Sequence, residues 1–156
     1  MSAWPDDLLE NLAQFLNMDD LAGQTAWFDK HTNTIVLICY DPESDWQRPP
    51  SDDSPEWQRR DRALGEAIVA APDQYIRIEG TGAPGRLHDF LRTIEDPGLR
   101  EALYDAKRGG RGAYRRVRSV LHRRGLEQLW YDFETAADRE MATDWLARHQ
   151  LTPPTS

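Results

Sequence analysis

Cysteine is all but absent: Cys39 is the one thiol in 156 residues, so no internal disulfide can form and no cysteine-rich metal centre can be built. The four histidines, His31, His88, His122 and His149, lie far apart, without the close spacings that carry zinc. No metal and no cofactor are expected. Long apolar runs are missing too. None approaches the roughly 20 residues that cross a bilayer, and the opening Met-Ser-Ala-Trp-Pro-Asp-Asp lacks the positive start and apolar stretch of a secretion signal. These absences predict a soluble, cytoplasmic protein with no membrane partner. Catalytic signatures are missing as well: there is no P-loop, no dinucleotide fingerprint and no Gly-x-Ser-x-Gly elbow, so no catalytic residue is assigned. Asp41-x-Glu43-x-Asp45 echoes the first positions of a calcium loop but lacks the glycine and closing glutamate that complete one.

Bulk for a core is present. Six Trp, five Tyr and four Phe offset a modest apolar share of 39% and a charged share of 29%, which argues against a disordered chain. The reading is one α+β domain over residues 1–151, with a flexible acidic loop at 41–55 and a disordered tail at 152–156. A helix starts at Pro5, with Leu8, Leu12 and Phe15 at helical spacing. Two extended runs, 24–30 and 34–40, joined by His31-Thr32-Asn33, predict a β-hairpin. The second run is apolar on both faces, predicting a well-covered strand with Cys39 as a small buried hydrophobe.

Further on, Ser54 and Pro55 open a helix carrying Trp57, Leu64 and Ile68, which Ala71-Pro72 ends. Residues 74–79 alternate as a third strand, giving a small antiparallel three-stranded sheet of hairpin plus one later strand. After residue 81 everything reads as helix, about six helices in all: Leu87, Phe90, Leu91 and Ile94 mark one, and Asp96-Pro97 caps the next. A basic helix follows Gly109-Gly110, and a last one follows Gly125.

Charge is what sets one stretch apart. The whole chain counts 19 Lys and Arg against 27 Asp and Glu, a net of −8. Residues 106–125 hold eight of those cations and no acid, so the remainder carries a net of −16. On a helical projection Arg115, Arg116, Arg118, Ser119, His122 and Arg123 share one arc, opposite Ala113, Tyr114, Val117, Val120 and Leu121. Gly109, Gly110 and Gly112 remove side chains around the first free backbone N–H groups, an opening flanked by Arg108 and Arg111 that suits a phosphate or carboxylate. Gly-Gly before a helix is, however, more often just the turn that ends the previous one.

The bland reading is that this face is solvated, or neutralised by Glu127, Glu134 and Asp138 of the acidic helix that follows. The sharper reading is a contact set of Arg108, Gly110, Arg111, Arg115, Arg116, Arg118, His122 and Arg123 for an anion, since arginine offers planar bidentate donors.

Gly110-Arg111-Gly112-Ala113-Tyr114-Arg115-Arg116, then Leu121, Gly125-Leu126, Trp130-Tyr131-Asp132-Phe133 and Trp145-Leu146 resemble the bacterial uncharacterised protein family 0158 of the UPF series. Its members typically read Gly-Arg-Gly-Ala-Phe-Arg-Arg-Phe, so Tyr114 and Val117 stand where phenylalanines are usual. The resemblance implies an α+β domain and brings no active site with it. The leading expectation is therefore a non-catalytic binding or regulatory domain whose arginine face recognises an acidic protein or a phosphate group. The alternative is an enzyme acting on a phosphorylated or nucleotide substrate, with His122 as the one nearby general acid or base. A nucleic-acid binder ranks third, because Tyr114 falls on the core arc and only Tyr131 is left as a stacking ring.

Overall fold

Six helices and three strands stand among residues 3–44 and 53–155, which the computed structural model describes; the C-terminal half is helical and the class is α+β. The chain divides into two compact units, Met1–Gly82 with Met141–Ser156, and Ala83–Glu140.

In the first unit, β1 (Thr25–Asp29) is the central strand of an antiparallel sheet, between β2 (Thr34–Ile38) and β3 (Tyr75–Ile78). The hairpin turn closes through Asn33, whose φ of 55° is one that asparagine tolerates, and whose N–H donates to the Asp29 carbonyl at 2.8 Å. Side chains alternate across the sheet. Ala26, Phe28, Ile35, Ile76 and Ile78 meet Leu8, Leu9, Leu12, Ala13 and Leu16 of α1 (Asp6–Leu16), together with Trp4, Trp145 and Leu146. Phe28 lies edge-on to Trp4 at 6.3 Å and to Trp145 at 5.9 Å. Its full burial stabilises the unit by roughly 1.5–3 kcal/mol. On the other face Trp27, Val36, Ile38 and Tyr75 pack on Leu64 and Ile68 of α2 (Glu56–Ala70).

Polar groups on β1 are paired as burial requires. The Trp27 indole N–H donates to Thr25 Oγ1 at 2.9 Å, and the Thr25 hydroxyl donates to the Tyr40 carbonyl at 2.8 Å. Asp29 accepts from the His31 N–H and from Gln74 Nε2. Burial pushes its carboxyl up, but the hydrogen bonds from Gln74, His31 and Thr32 outweigh this and hold it below the usual carboxylate range.

Three expectations need correction here. The apolar run at 34–40 is an edge strand in which only Ile38 is fully buried, while the mixed Thr-Ala-Trp-Phe-Asp of β1 is buried throughout. Cys39, just past that edge, is exposed; its N–H donates to Asp61 Oδ2 at 2.7 Å. Trp57 in the first turn of α2 is 55% exposed, so the buried side of that helix is Gly65 and Ile68.

The acidic segment is tied to the sheet through Arg77. Arg77 on β3 donates from Nη1 and Nη2 to the two Asp41 carboxylate oxygens, each at 3.0 Å, and Glu43 lies 3.6 Å from Nη1. The Asp41 hydrogen bond raises the Arg77 pKa above its ordinary value. Asp45 and most of the expected 41–55 loop lie outside the described residues. Residues 152–155 of the expected tail have no regular secondary structure.

The second unit is helical: α3 (Arg86–Arg92), α4 (Pro97–Lys107), α5 (Ala113–Arg123) and the opening turns of α6 (Glu127–Arg148). Asp96 caps α4 by accepting from the Gly98 N–H at 3.2 Å, with Pro97 at the first position as its fixed φ favours. Phe90, Leu91, Ile94, Leu99, Leu103, Val117, Val120, Leu121 and Trp130 form its core. Trp130 sits edge-on to Phe90 at 5.0 Å, and its buried indole N–H has no hydrogen-bond partner among the described residues.

Candidate functional site

The start of α5 is set by the turn before it. Gly109, Gly110 and Gly112 have φ of 97°, 67° and 79°, left-handed values that only glycine takes at no cost, and the Gly110 carbonyl accepts from the Ala113 N–H. This turn wraps a guanidinium. Arg116 Nε donates to the Ala106 carbonyl at 2.6 Å, Nη1 to Arg111 at 2.7 Å and Nη2 to Arg108 at 2.8 Å. A side chain at Gly112 would meet Nη1 at 3.1 Å. The carbonyls point inward on one cation, so Arg116 staples the end of α4 to the start of α5.

Past the staple, α5 presents the polar side expected of it. An open groove of about 1210 Å³ is lined by Arg115, Arg116, Arg118, Ser119, His122, Arg123 and Arg124, with Ala102, Asp105 and Ala106 of α4 as one wall. Asp105 pairs with Arg108 at 3.1 Å, and Glu127 with His122 Nδ1. The Arg118 guanidinium carbon is 5.7 Å from the Tyr114 ring centroid and 5.5 Å from that of Tyr131. Its Nη2 also donates to the Tyr131 hydroxyl at 2.5 Å. Among the described residues Arg111, Arg115, Arg123 and Arg124 make no ion pair.

The acids of α6 make few direct ion pairs with α5 among the described residues. Asp138 is taken by Arg86 of α3, whose side chain is 13% exposed, and Asp132 accepts from Gln128. Among the described residues the His122–Glu127 contact is the ion-pair-distance link between the two helices. Arg115, Arg118, His122 and Arg123 line one groove with Arg116, while Arg108, Gly110 and Arg111 belong to the turn beside it. Arg124 lines the same groove. Tyr114 needs correction: it is 46% exposed, not a core residue, because it caps the Trp130 edge at 5.4 Å instead of entering the core. Among the described residues no three His, Cys, Asp or Glu side chains gather as a metal would need, and no helix is long and apolar enough to cross a membrane.

No protein-family profile and no solved structure matches the chain. A UPF0158 protein of Pseudomonas aeruginosa is 27% identical over 96 residues, 60% of this chain; the match spans 63% of that relative's length. This similarity supports the likeness carried by the Gly-Arg-Gly and Trp-Tyr-Asp-Phe motifs, to the uncharacterised bacterial protein family 0158.

Proposed function

We propose that the protein is a cytoplasmic, non-catalytic binding or regulatory domain that uses the α5 groove to recognise an anionic partner, an acidic protein segment or a phosphate group. The observation that carries this reading is the set of unpaired guanidiniums: Arg115, Arg123 and Arg124 line the groove without a carboxylate partner among the described residues, although α6 has acids to offer. Unpaired, closely set arginines repel one another, and an incoming anion relieves that repulsion while gaining charge-assisted hydrogen bonds. Arg116 supports the site rather than contacting the partner, since its donors are spent on the turn.

The test is calorimetric titration of the full chain with polyglutamate and with inorganic polyphosphate, at low salt, for the native protein and for Arg115→Ala/Arg123→Ala. Binding of either polyanion that falls at least about tenfold in the double variant supports the groove. Equal binding by both proteins moves the site elsewhere, and no binding at all removes the proposal.

One observation favours the enzyme reading. His122 Nδ1 is held by Glu127, an arrangement that orients the other ring nitrogen as a base would need, beside cations that would clamp a phosphate. Against it, the His122 side chain is 77% exposed, and water-filled surroundings weaken both proton transfer and electrostatic stabilisation. Binding without turnover is the better account.

A further inference from the structure

The polar groove of α5 holds more than charge. Tyr114 lines it and Tyr131 touches Arg118 beside it; the two are 46% and 40% exposed. Tyr114 makes a T-shaped contact with buried Trp130, and the Tyr131 hydroxyl accepts from Arg118, whose guanidinium carbon is within 5.7 Å of both ring centroids. Two rings and one guanidinium are thus in contact before any partner arrives, which lowers the side-chain entropy lost on binding. Along the same helix Arg115 and Arg123 are eight residues apart, a rise of about 12 Å, with Ser119 between them and Arg124 beyond.

A partner that fits both parts must carry flat π faces and a row of negative charges. We propose that this groove binds a short single-stranded nucleic acid segment, its unpaired bases stacking on Tyr131 and Tyr114 and its phosphates held by Arg115, Arg123 and Arg124. The inference rests on the anion-site reading above and names the partner class for it. Base–aromatic stacking is tolerant of sequence, and arginine planes take part in it. An acidic peptide supplies the charges but no row of planar bases. A duplex hides the base faces.

Charge distribution sets the scale of the interaction. The Ala83–Glu140 unit holds twelve Lys and Arg against ten Asp and Glu, a net of +2, whereas the rest of the chain carries −10. Attraction is local to the groove, and a long polyanion meets repulsion beyond it.

The experiment is fluorescence anisotropy of the full chain with a dye-labelled single strand of about 12 nucleotides, as DNA and as RNA. The same sequence as a duplex, and polyglutamate as competitor, complete the set. Tyr131→Leu weakens single-strand binding by about 5- to 150-fold, the loss of one stacked base, whereas Tyr131→Phe, which keeps the ring, stays within about threefold. Arg115→Ala/Arg123→Ala lowers the slope of log affinity against log salt by about 1.4, two phosphate contacts at ~0.7 each.

Tyr114→Leu, which also touches Trp130, is read only if its circular dichroism and unfolding match the native chain; Tyr131, with its ring at the surface, decides otherwise. Tyrosine variants that bind the single strand like the native chain, or a duplex bound as tightly, overturn the nucleic-acid assignment. If the arginine variant still loses polyglutamate in that case, the anion site stands without it. Loss of neither ligand overturns both.

Discussion

Replacing Arg116 separates its role from that of its neighbours. In the native turn its three donors reach carbonyls at 2.6–2.8 Å on residues 106, 108 and 111. A hydrogen bond from a charged donor is worth ~1.5–3 kcal/mol where water is excluded. This turn is open to solvent, and water takes the donor's place once it is removed, so roughly 0.5–1 kcal/mol per bond is retained. Three bonds then give about 2 kcal/mol for Arg116→Ala.

The glycines make the staple matter: released, Gly109, Gly110 and Gly112 regain more backbone freedom than any other residues would. Urea unfolding followed by tryptophan fluorescence measures the loss. Limited trypsin digestion localises it, because Arg108 and Arg111 precede glycines inside the turn; an opening made ~2 kcal/mol easier speeds cleavage there by about 30-fold. Arg116→Lys keeps the charge but not the planar fork that spans three carbonyls, so it recovers less than half of the stability. An Arg116→Ala protein as stable and as protease-resistant as the native chain, yet impaired in polyanion binding, would refute the staple and return Arg116 to the contact set.

Three further outcomes follow from the first unit. A Cβ at Gly80 would lie 1.8 Å from the Met18 carbonyl oxygen and 2.3 Å from that of Phe15, and at Gly65 it would meet the Tyr40 hydroxyl; Gly80→Ala should cost at least about 2 kcal/mol and more than Gly65→Ala, because backbone cannot swing aside as a ring end can. Urea midpoints that reverse that order would show the crowding to be misjudged. Burial raises the Asp41 carboxyl, but the Arg77 hydrogen bonds and charge outweigh it and leave it below the usual range, as for Asp29. Their stability is complete above an unfolded pKa of about 3.9 and is lost as pH falls through the lowered folded value. Stability therefore drops on acidification below about pH 4, and Asp41→Asn flattens that drop in urea titrations at pH 5.5 and 3. Cys39 should be alkylated in the folded chain; its thiol is held above its ordinary value by a hydrogen bond to Asp61, by burial and by the Asp61 charge, so Asp61→Asn speeds iodoacetamide labelling at pH 8. A thiol that reacts only in denaturant would contradict this.

Local pattern carried the helices well, because apolar period and caps such as Asp96-Pro97 are written within a few residues. What was not legible depends on contacts distant in sequence. Ile35–Ile38 looks like a covered strand until β3 chooses β1 as its partner, leaving β2 at the edge and Cys39 outside. The arginine arc of α5 was readable from its projection. The fate of Arg116 was not, since a projection omits the turn folded back over it. Tyr114 was misplaced for a related reason: at the first turn of a helix the apolar arc runs out over a neighbour's edge instead of into a core. That neighbour, Trp130, lies sixteen residues away.

The first unit is interrupted, and the interruption has a price in time. Trp145 and Leu146 pack in one cluster with Trp4 and Phe28, so the N-terminal core waits for residues made last. Residues 83–140, by contrast, carry their whole core in one continuous stretch. On the ribosome the helical unit can therefore complete its fold first, while α1 and the sheet remain an unfinished pocket of exposed aromatics. A chain cut before residue 141 would keep the core of the helical unit whole, joined to a sheet unit still without its closing side.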